Sequence, residues 1–351
     1  MVDIAHTPNI ADPQRHSIGP ARHERLHEWL RFEVTDDDRG RKLGAVLRCR
    51  FQVSRGALRR LKAENGALLN GEPARLDAVL AVGDSVVLMA DESPSRGVAP
   101  ENIPLDVVFE DGHLLVVNKP AGMVVHPARR HVTGTLAAAV AFHLAEQGYP
   151  GPVRPVNRLD RETSGLIVFA KSAYIHERLA RHLNREYACL ARGCVTENEG
   201  AIAAPIVRVE GDSMRRTVAV EGDAVPAAEA ALGLDARDAV THFRVLCRWP
   251  RVGASLVLLR LETGRTHQIR VHLAHEGHPL FGDSLYSPPV AAAVVMSRTA
   301  LHARRLDLEH PVSKRPLSFS APLPADFLQG LAALNRLEHS VLHNDSASET
   351  G

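Results

Sequence analysis

The stretch RPVNRLDRETSGLIVFAKS, residues 154–172, is where a reading of the fold and of the chemistry begins. Its second half, GLIVFAKS, is a short apolar run of strand length. Its first half crowds Arg158, Asp160, Arg161, Glu162, Thr163 and Ser164 between two apolar stretches, which makes a charged turn. An aspartate in such a turn ordinarily accepts backbone N–H bonds and does nothing more. To act chemically it must stay ionised in a dry pocket, which requires a cation and hydrogen bonds as compensation.

Two later segments bear on that requirement. LETGRTHQIRVHLAHEGHPLFGD (261–283) can supply the cation from Arg265 or Arg270, and Gly264 is expected to permit an unusual backbone that aims Arg265. His267, His272, His275 and His278 raise the idea of zinc. Their spacing contains no H-E-x-x-H, and the interleaved Arg265 and Arg270 would repel a divalent cation, so a metal site is not expected. LHARRLDLEHPVSKRPLSFSAPLPADF (301–327) alternates as a strand, turns at His310-Pro311 into a second strand and leaves through a Pro-rich exit.

Around these lie further elements. LDVVFED and HLLVVNKP read as strands joined at Asp111-Gly112. TGTLAAAVAFHLAEQG reads as a helix capped by Thr133 or Thr135 and stopped by Gly148, and YIHERLARHLNRE as a second helix. YACLARGCV reads as a strand, and THFRVLCRWP with SLVLLRLETG as an antiparallel pair.

The front of the chain differs in charge. From Arg39 to Ala63 run nine basic residues with no acidic one, an electrostatic footprint for a polyanion, although a solvated helix face would look alike. Within it SRGALRRLKAENG has Ser54 as N-cap, Leu58 and Leu61 inward, and Gly66 as a stop. Arg55, Arg59 and Lys62 fall at i, i+4, i+7 and share one face. ALLNGEPA then offers a strand ending in an Asn-Gly turn, and VLAVGDSVVLMA another around Gly83-Asp84. Such a unit can present cations to a phosphate backbone with little base specificity. DESPSRGVAPENIP (91–104) reads as a linker.

The 351 residues, 45% hydrophobic and 24% charged with a net charge of +1, fit a soluble chain of two or three domains. No apolar run is long enough to span a bilayer, and the N-terminus shows no signal-peptide pattern. Four scattered cysteines with no C-x-x-C argue against a zinc ribbon or disulfide scaffold and for a reducing, cytoplasmic setting. Signatures for nucleotide hydrolysis, dinucleotide redox chemistry and serine hydrolysis are missing.

Taken together, NKPAGMVVHP (118–127), RPVNRLDRETSGLIVFAKS, TGRTHQIRVHLAHEGHPLFGDSLY (263–286) and LHARRLDLEHP with SFSAPLPADF resemble, in order, the motifs of the RluA-type pseudouridine synthase family. The resemblance runs from about Ile103 to Phe327. Residues 31–91 resemble an alpha-L RNA-binding domain, the type found in the fourth small-subunit ribosomal protein. That arrangement implies an α+β fold: a mixed, mainly antiparallel central sheet with flanking helices, preceded by a small helix-and-hairpin RNA-binding domain. The expected organisation is a tail (1–22), the RNA-binding domain (23–92), a linker (93–102), the catalytic domain (103–329) and a C-terminal tail (330–351).

The resemblance implies isomerisation of uridine in RNA, ribosomal RNA more than transfer RNA, without cofactor or metal and by a monomer. It makes Asp160 the essential aspartate, Arg265 the arginine paired with it, and Tyr187 the aromatic under the target base. Arg158 is implicated in opening the base stack, and Ile269 lines the pocket. Thr163 is a further candidate substrate contact, with Arg55, Arg59 and Lys62 on the docking face. Four departures stand out. Asn157 occupies a position where many members have histidine. Glu186 precedes Tyr187, where basic residues in K-x-Y form are usual, and this suggests a less positive cleft. The segment from Asp160 to Tyr187 is short, and the acidic stretch EGDAVPAAEAALGLDARDA (221–239) is long and is expected to shape the RNA channel. A catalytically silent RNA-binding factor on the same fold, or a zinc hydrolase built on the histidines, are the rival readings.

Overall fold

The computed structural model describes residues 26–91, 98–127, 132–149, 151–180, 183–212, 214–219, 236–287 and 295–348. The expected N-terminal tail and most of the acidic 221–239 stretch lie outside them. The chain divides into two units, residues 1–93 and 94–351.

In the first unit, strands β1 (Leu26–Glu33), β2 (Ala67–Leu69), β3 (Glu72–Pro73) and β4 (Ser85–Asp91) form a sheet in the order β1-β4-β2-β3. Helices α1 (Leu43–Cys49) and α2 (Arg55–Glu64) complete it. Ser54 caps α2, its hydroxyl accepting the Ala57 N–H. Asn65, rather than the expected Gly66, takes the left-handed conformation that ends the helix. Asn70 and Gly71, both at positive φ, make the tight turn between β2 and β3. Ala57 and Leu61 face the core, which leaves Arg55, Arg59 and Lys62 exposed.

The second unit is built on ten strands. Its central path is β10 (Glu199–Ala203), β13 (Val240–Trp249), β14 (Ala254–Leu261), β9 (Asn184–Arg192), β15 (Leu301–Glu309), β8 (Ser164–Ala170), β6 (Leu114–Lys119) and β5 (Val107–Glu110). Strand β16 (Pro316–Ser320) pairs with β15, and β7 (Arg154–Pro155) with β8. All these pairings are antiparallel except β8 with β15, so the sheet is mixed and mainly antiparallel. A separate hairpin joins β11 (Ile206–Arg208) to β12 (Arg216–Val218).

Alternation along β9 sorts its side chains between two cores. Tyr187 and Cys189 join Leu115, Ile167, Phe169, Val257 and Leu259. Helices α3 (Leu136–Glu146, capped by Thr135) and α5 (Gln268–His275) cover this face. Ala188 and Leu190 turn the other way, to Trp249, Leu258, Phe281, Phe327 and Leu334. Every residue of β8 is buried, because its sheet position leaves no solvated face. Each large aliphatic side chain sequestered this way contributes about 1.5–3 kcal/mol.

Helix α4 (Ala173–Leu179) is shorter than the YIHERLARHLNRE pattern, as the short 160–187 segment implies, because Asn184 already begins β9. One expected boundary shifts. The C-terminus is not a tail from residue 330: helix α6 runs Ala325–Ser348. Leu331, Leu334 and Leu337 pack on the second core, and Asn335 accepts the indole N–H of Trp249 at 2.7 Å.

Gly165 opens β8 at φ +113°, and a Cβ there would lie 2.2 Å from the Ala303 carbonyl oxygen of β15. The parallel contact beside the Asp160 turn therefore requires glycine. Gly165→Ala is expected to cost more than about 2 kcal/mol, combining backbone strain with overpacking. Urea unfolding of the variant measures it.

Candidate active site

The turn between β7 and β8 carries Asp160 and is held from beneath. Asn157 is buried and spends its amide on β8, donating to Leu166 O at 3.1 Å and accepting from Val168 N at 2.9 Å. The Lys119 ammonium, fully buried, donates to the carbonyls of Pro120 (2.8 Å), Met123 (2.8 Å) and Arg161 (3.1 Å). Burial, and secondarily the charge of Arg298, push it down to about 7. Arg298 donates to Glu162 O at 3.0 Å while Asp326 holds its other side. Successive carbonyls of the turn, at 161 and 162, are thus each fixed by a buried basic side chain.

Above the turn, Arg270 of α5 donates from Nη1 to Asp160 Oδ2 at 2.9 Å. The same guanidinium grips Asp283 through Nε (2.6 Å) and Nη2 (2.8 Å) and lies 5.1 Å from the Tyr286 ring centroid. Burial would push the Asp283 carboxyl up, but Arg270 and the backbone N–H groups of Leu285 and Tyr286 hold it below the usual carboxylate range. Arg270 is pushed above its ordinary value because both carboxylates outweigh the cost of its burial. Arg270 is thereby a rigid donor, with Asp160 as its partly exposed end. Asp160 Oδ1 accepts no bond from any described residue.

His267 caps α5 in the left-handed conformation (φ 58°). Its Nε2 is 3.8 Å from Asp160 Oδ2 and its Nδ1 is 3.0 Å from the Tyr286 hydroxyl. Burial lowers its pKa more than the Asp160 charge raises it, so the ring is neutral at physiological pH.

These groups open onto a cleft of about 670 Å³, within the roughly 300–1,000 Å³ of small-molecule sites. It brings together Arg158, Asp160, Thr163, Tyr187, Arg265 and Ile269, as well as Arg185, His267 and Arg270. Tyr187 and Ile269 are buried in its apolar wall, and burial pushes the Tyr187 phenol up. Thr163 Oγ1 is buried without a hydrogen-bond partner. Arg158 is exposed at the rim. Arg55, Arg59 and Lys62 belong to the first unit.

Three expectations change. Arg265 is not the partner of Asp160: it is exposed, its Nε donates to Asp238 O at 3.0 Å, and Arg270 takes the pairing role. Gly264 has no positive φ; what its missing side chain provides is room for Arg185, since a Cβ would sit 2.9 Å from Arg185 Nη1. Glu186 does not acidify the cleft. Alternation turns it to the opposite face, where it pairs with Arg260 (3.1 Å) and Arg304 (3.4 Å). Arg185 and Tyr187, two residues apart on the strand, share the cleft face. The histidines disperse: His272 bonds Thr241 and Ala204, and His278 bonds Arg192 O. Among the described residues no three His, Cys, Asp or Glu side chains gather as metal ligands.

Arg185, which was missed, and Arg270, which was weighed but passed over for Arg265, were each visible as a period. Arg185 lies two residues from Tyr187 on a strand, and Arg270 lies one turn into the helix that His267 begins.

A carboxylate tethered to a buried arginine thus faces a cleft walled by Tyr187, on a mixed and mainly antiparallel sheet. Residues 113–275 match the RNA pseudouridylate synthase family. The chain is 37% identical over 302 residues to an uncharacterized RNA pseudouridine synthase, YhcT, of Bacillus subtilis, covering 85% of this chain and 94% of that one. It is also 37% identical over 329 residues to the ribosomal large subunit pseudouridine synthase D of Xanthomonas campestris pv. campestris, covering 89% and 94%. Human RNA pseudouridylate synthase domain containing 4 has the same fold (TM-score 0.51, 24% identity, 65% of this chain and 92% of that one). The chain belongs to the RNA pseudouridine synthase family. Among the described residues no helix is long and apolar enough to cross a membrane.

Proposed function

We propose that this protein converts uridine to pseudouridine in ribosomal RNA, with Asp160 as the reacting carboxylate and the first unit as an alpha-L type docking module. The observation that carries the reading is Asp160, tied through one oxygen to Arg270 with the other oxygen unclaimed by any described residue, beside a cleft walled by Tyr187. The ribosomal target follows from the likeness to the large subunit synthase of Xanthomonas.

A uridine within folded RNA must leave its stack to reach such a cleft, at a cost of a few kcal/mol. Stacking of the base on Tyr187, worth roughly 1–3 kcal/mol, offsets part of that cost. Arg158 at the rim is placed to enter the vacated space, and the Thr163 hydroxyl is available to the uracil edge. The isomerisation breaks the N1–C1′ bond and joins C1′ to C5; the C5 proton leaves and N1 gains one. Whether Asp160 attacks sugar or base or removes a proton, its free oxygen does the work, and a fixed Arg270 spares reorganisation.

The protein is read as a cytoplasmic monomer acting without cofactor. Pseudouridine mapping of ribosomal RNA from cells with and without the protein tests the reading. Loss of defined pseudouridines is expected; an unchanged map together with RNA binding would favour a silent RNA-binding factor.

Arg55, Arg59 and Lys62 form no ion pair with a described residue and remain available for phosphate. Reversing all three charges is expected to weaken binding to ribosomal RNA. It should also make the dependence of log K on log salt shallower, by up to roughly 0.7–0.9 for each phosphate no longer engaged. Titrations at several salt concentrations measure both, and an unchanged slope would remove the module from the docking surface.

A further inference from the structure

We infer that Arg185 is the anion-binding group of the cleft and holds a phosphate at the nucleotide whose base occupies it. The inference rests on the proposed RNA substrate and names a contact within that site.

Most neighbouring cations are already committed; Arg158, the exception, is exposed at the rim rather than set in the wall. Arg270 is shared by Asp160 and Asp283, Arg298 is held by Asp326, Arg260 and Arg304 share Glu186, and Arg265 donates to a backbone carbonyl. Arg185 is different. Its Nε is buried and has no hydrogen-bond partner, and its guanidinium pairs with no described carboxylate although it lines the cleft. The adjacent acid in sequence, Glu186, is turned to the far face of the sheet.

The surroundings keep this arrangement open. Any side chain at residue 264 would press on Nη1, so Gly264 preserves the space for the guanidinium. Arg185 also lies on the same strand face as Tyr187, two residues away, so the cation and the aromatic wall are set at one fixed spacing. A buried guanidinium N–H without an acceptor is costly, and a phosphate oxygen recovers it through the planar fork that arginine presents. A base stacked on Tyr187 brings its own phosphodiester to that side of the cleft.

The test uses full-length protein carrying Asp160→Asn, so that binding is read without turnover, and an unmodified transcript of large-subunit ribosomal RNA. Adding Arg185→Gln is expected to weaken binding about tenfold and to lower the salt slope by roughly 0.7–0.9, one phosphate's worth. Arg185→Lys, which keeps the charge but not the fork, should restore the slope and only part of the affinity. With the Asp160-intact protein and an RNA bearing a single methylphosphonate at the converted uridine, the penalty in conversion should be absent once Arg185 is already Gln. Unchanged affinity and slope in Arg185→Gln, or additive penalties in the last experiment, would overturn the assignment. Failure of the underlying reading looks different: the Asp160-intact protein would then convert no uridine at all.

Discussion

Asp160→Asn is expected to lower conversion of uridine by at least roughly 10³-fold, the scale of losing a group that acts on the reacting bond, while RNA affinity stays within a few-fold. Asparagine is isosteric and can still accept from Arg270 Nη1, so the tether at 2.9 Å and the walls of the cleft persist. What disappears is the negative charge, and with it any nucleophile or base at this point. Release of tritium from RNA labelled at uracil C5 reports the reaction, and filter binding reports affinity. Turnover near the parental rate would remove Asp160 from the chemistry.

The second large effect is expected at Arg270. Arg270→Met leaves Asp283 buried beside a hydrocarbon in place of its guanidinium, and breaking a buried pair in this way costs about 3–5 kcal/mol. The pH dependence carries a definite sign. In the parent, Asp283 titrates below its unfolded value, so its stabilisation is present above about pH 4 and is lost as pH falls through the folded value. In the variant, burial without the cation raises the carboxyl instead, so acid relieves the penalty. The stability gap should therefore be widest near pH 7 and narrow towards about pH 4.5, measured by urea unfolding at both. Adding Asp283→Asn should recover much of the stability but none of the activity, because Asp160 would still lack its tether.

Much of the fold was legible because its elements are locally consistent. Ser54 and Thr135 cap the helices that follow them, Asn70-Gly71 makes the turn its chemistry demands, and GLIVFAKS is buried almost throughout. The C-terminal helix was not legible as packed structure. Its apolar residues gain meaning only against Trp249 and Phe281, far from it in sequence.

The site divides in the same way. Asp160 and Tyr187 were legible through the motifs that resemble the family; by residue type alone the aspartate reads as an ordinary turn residue. The choice between Arg265 and Arg270 depends on which way a helix faces, and Asp283, whose carboxylate fixes that facing, has no local mark. The misplacement of Glu186 came from counting charge along the chain; a strand sends neighbours to opposite faces, so Arg185, not Glu186, faces the cleft.

On the proposed function, one extruded uridine sits in this cleft with its nucleoside against the Asp160 carboxylate. A crystal structure of the Asp160→Asn protein with its ribosomal RNA fragment tests it directly. The expected result is a flipped uridine stacked on Tyr187, with its ribose or base within about 3.5 Å of the residue 160 side chain. A target uridine still stacked in its helix, with the cleft facing solvent, would contradict the account.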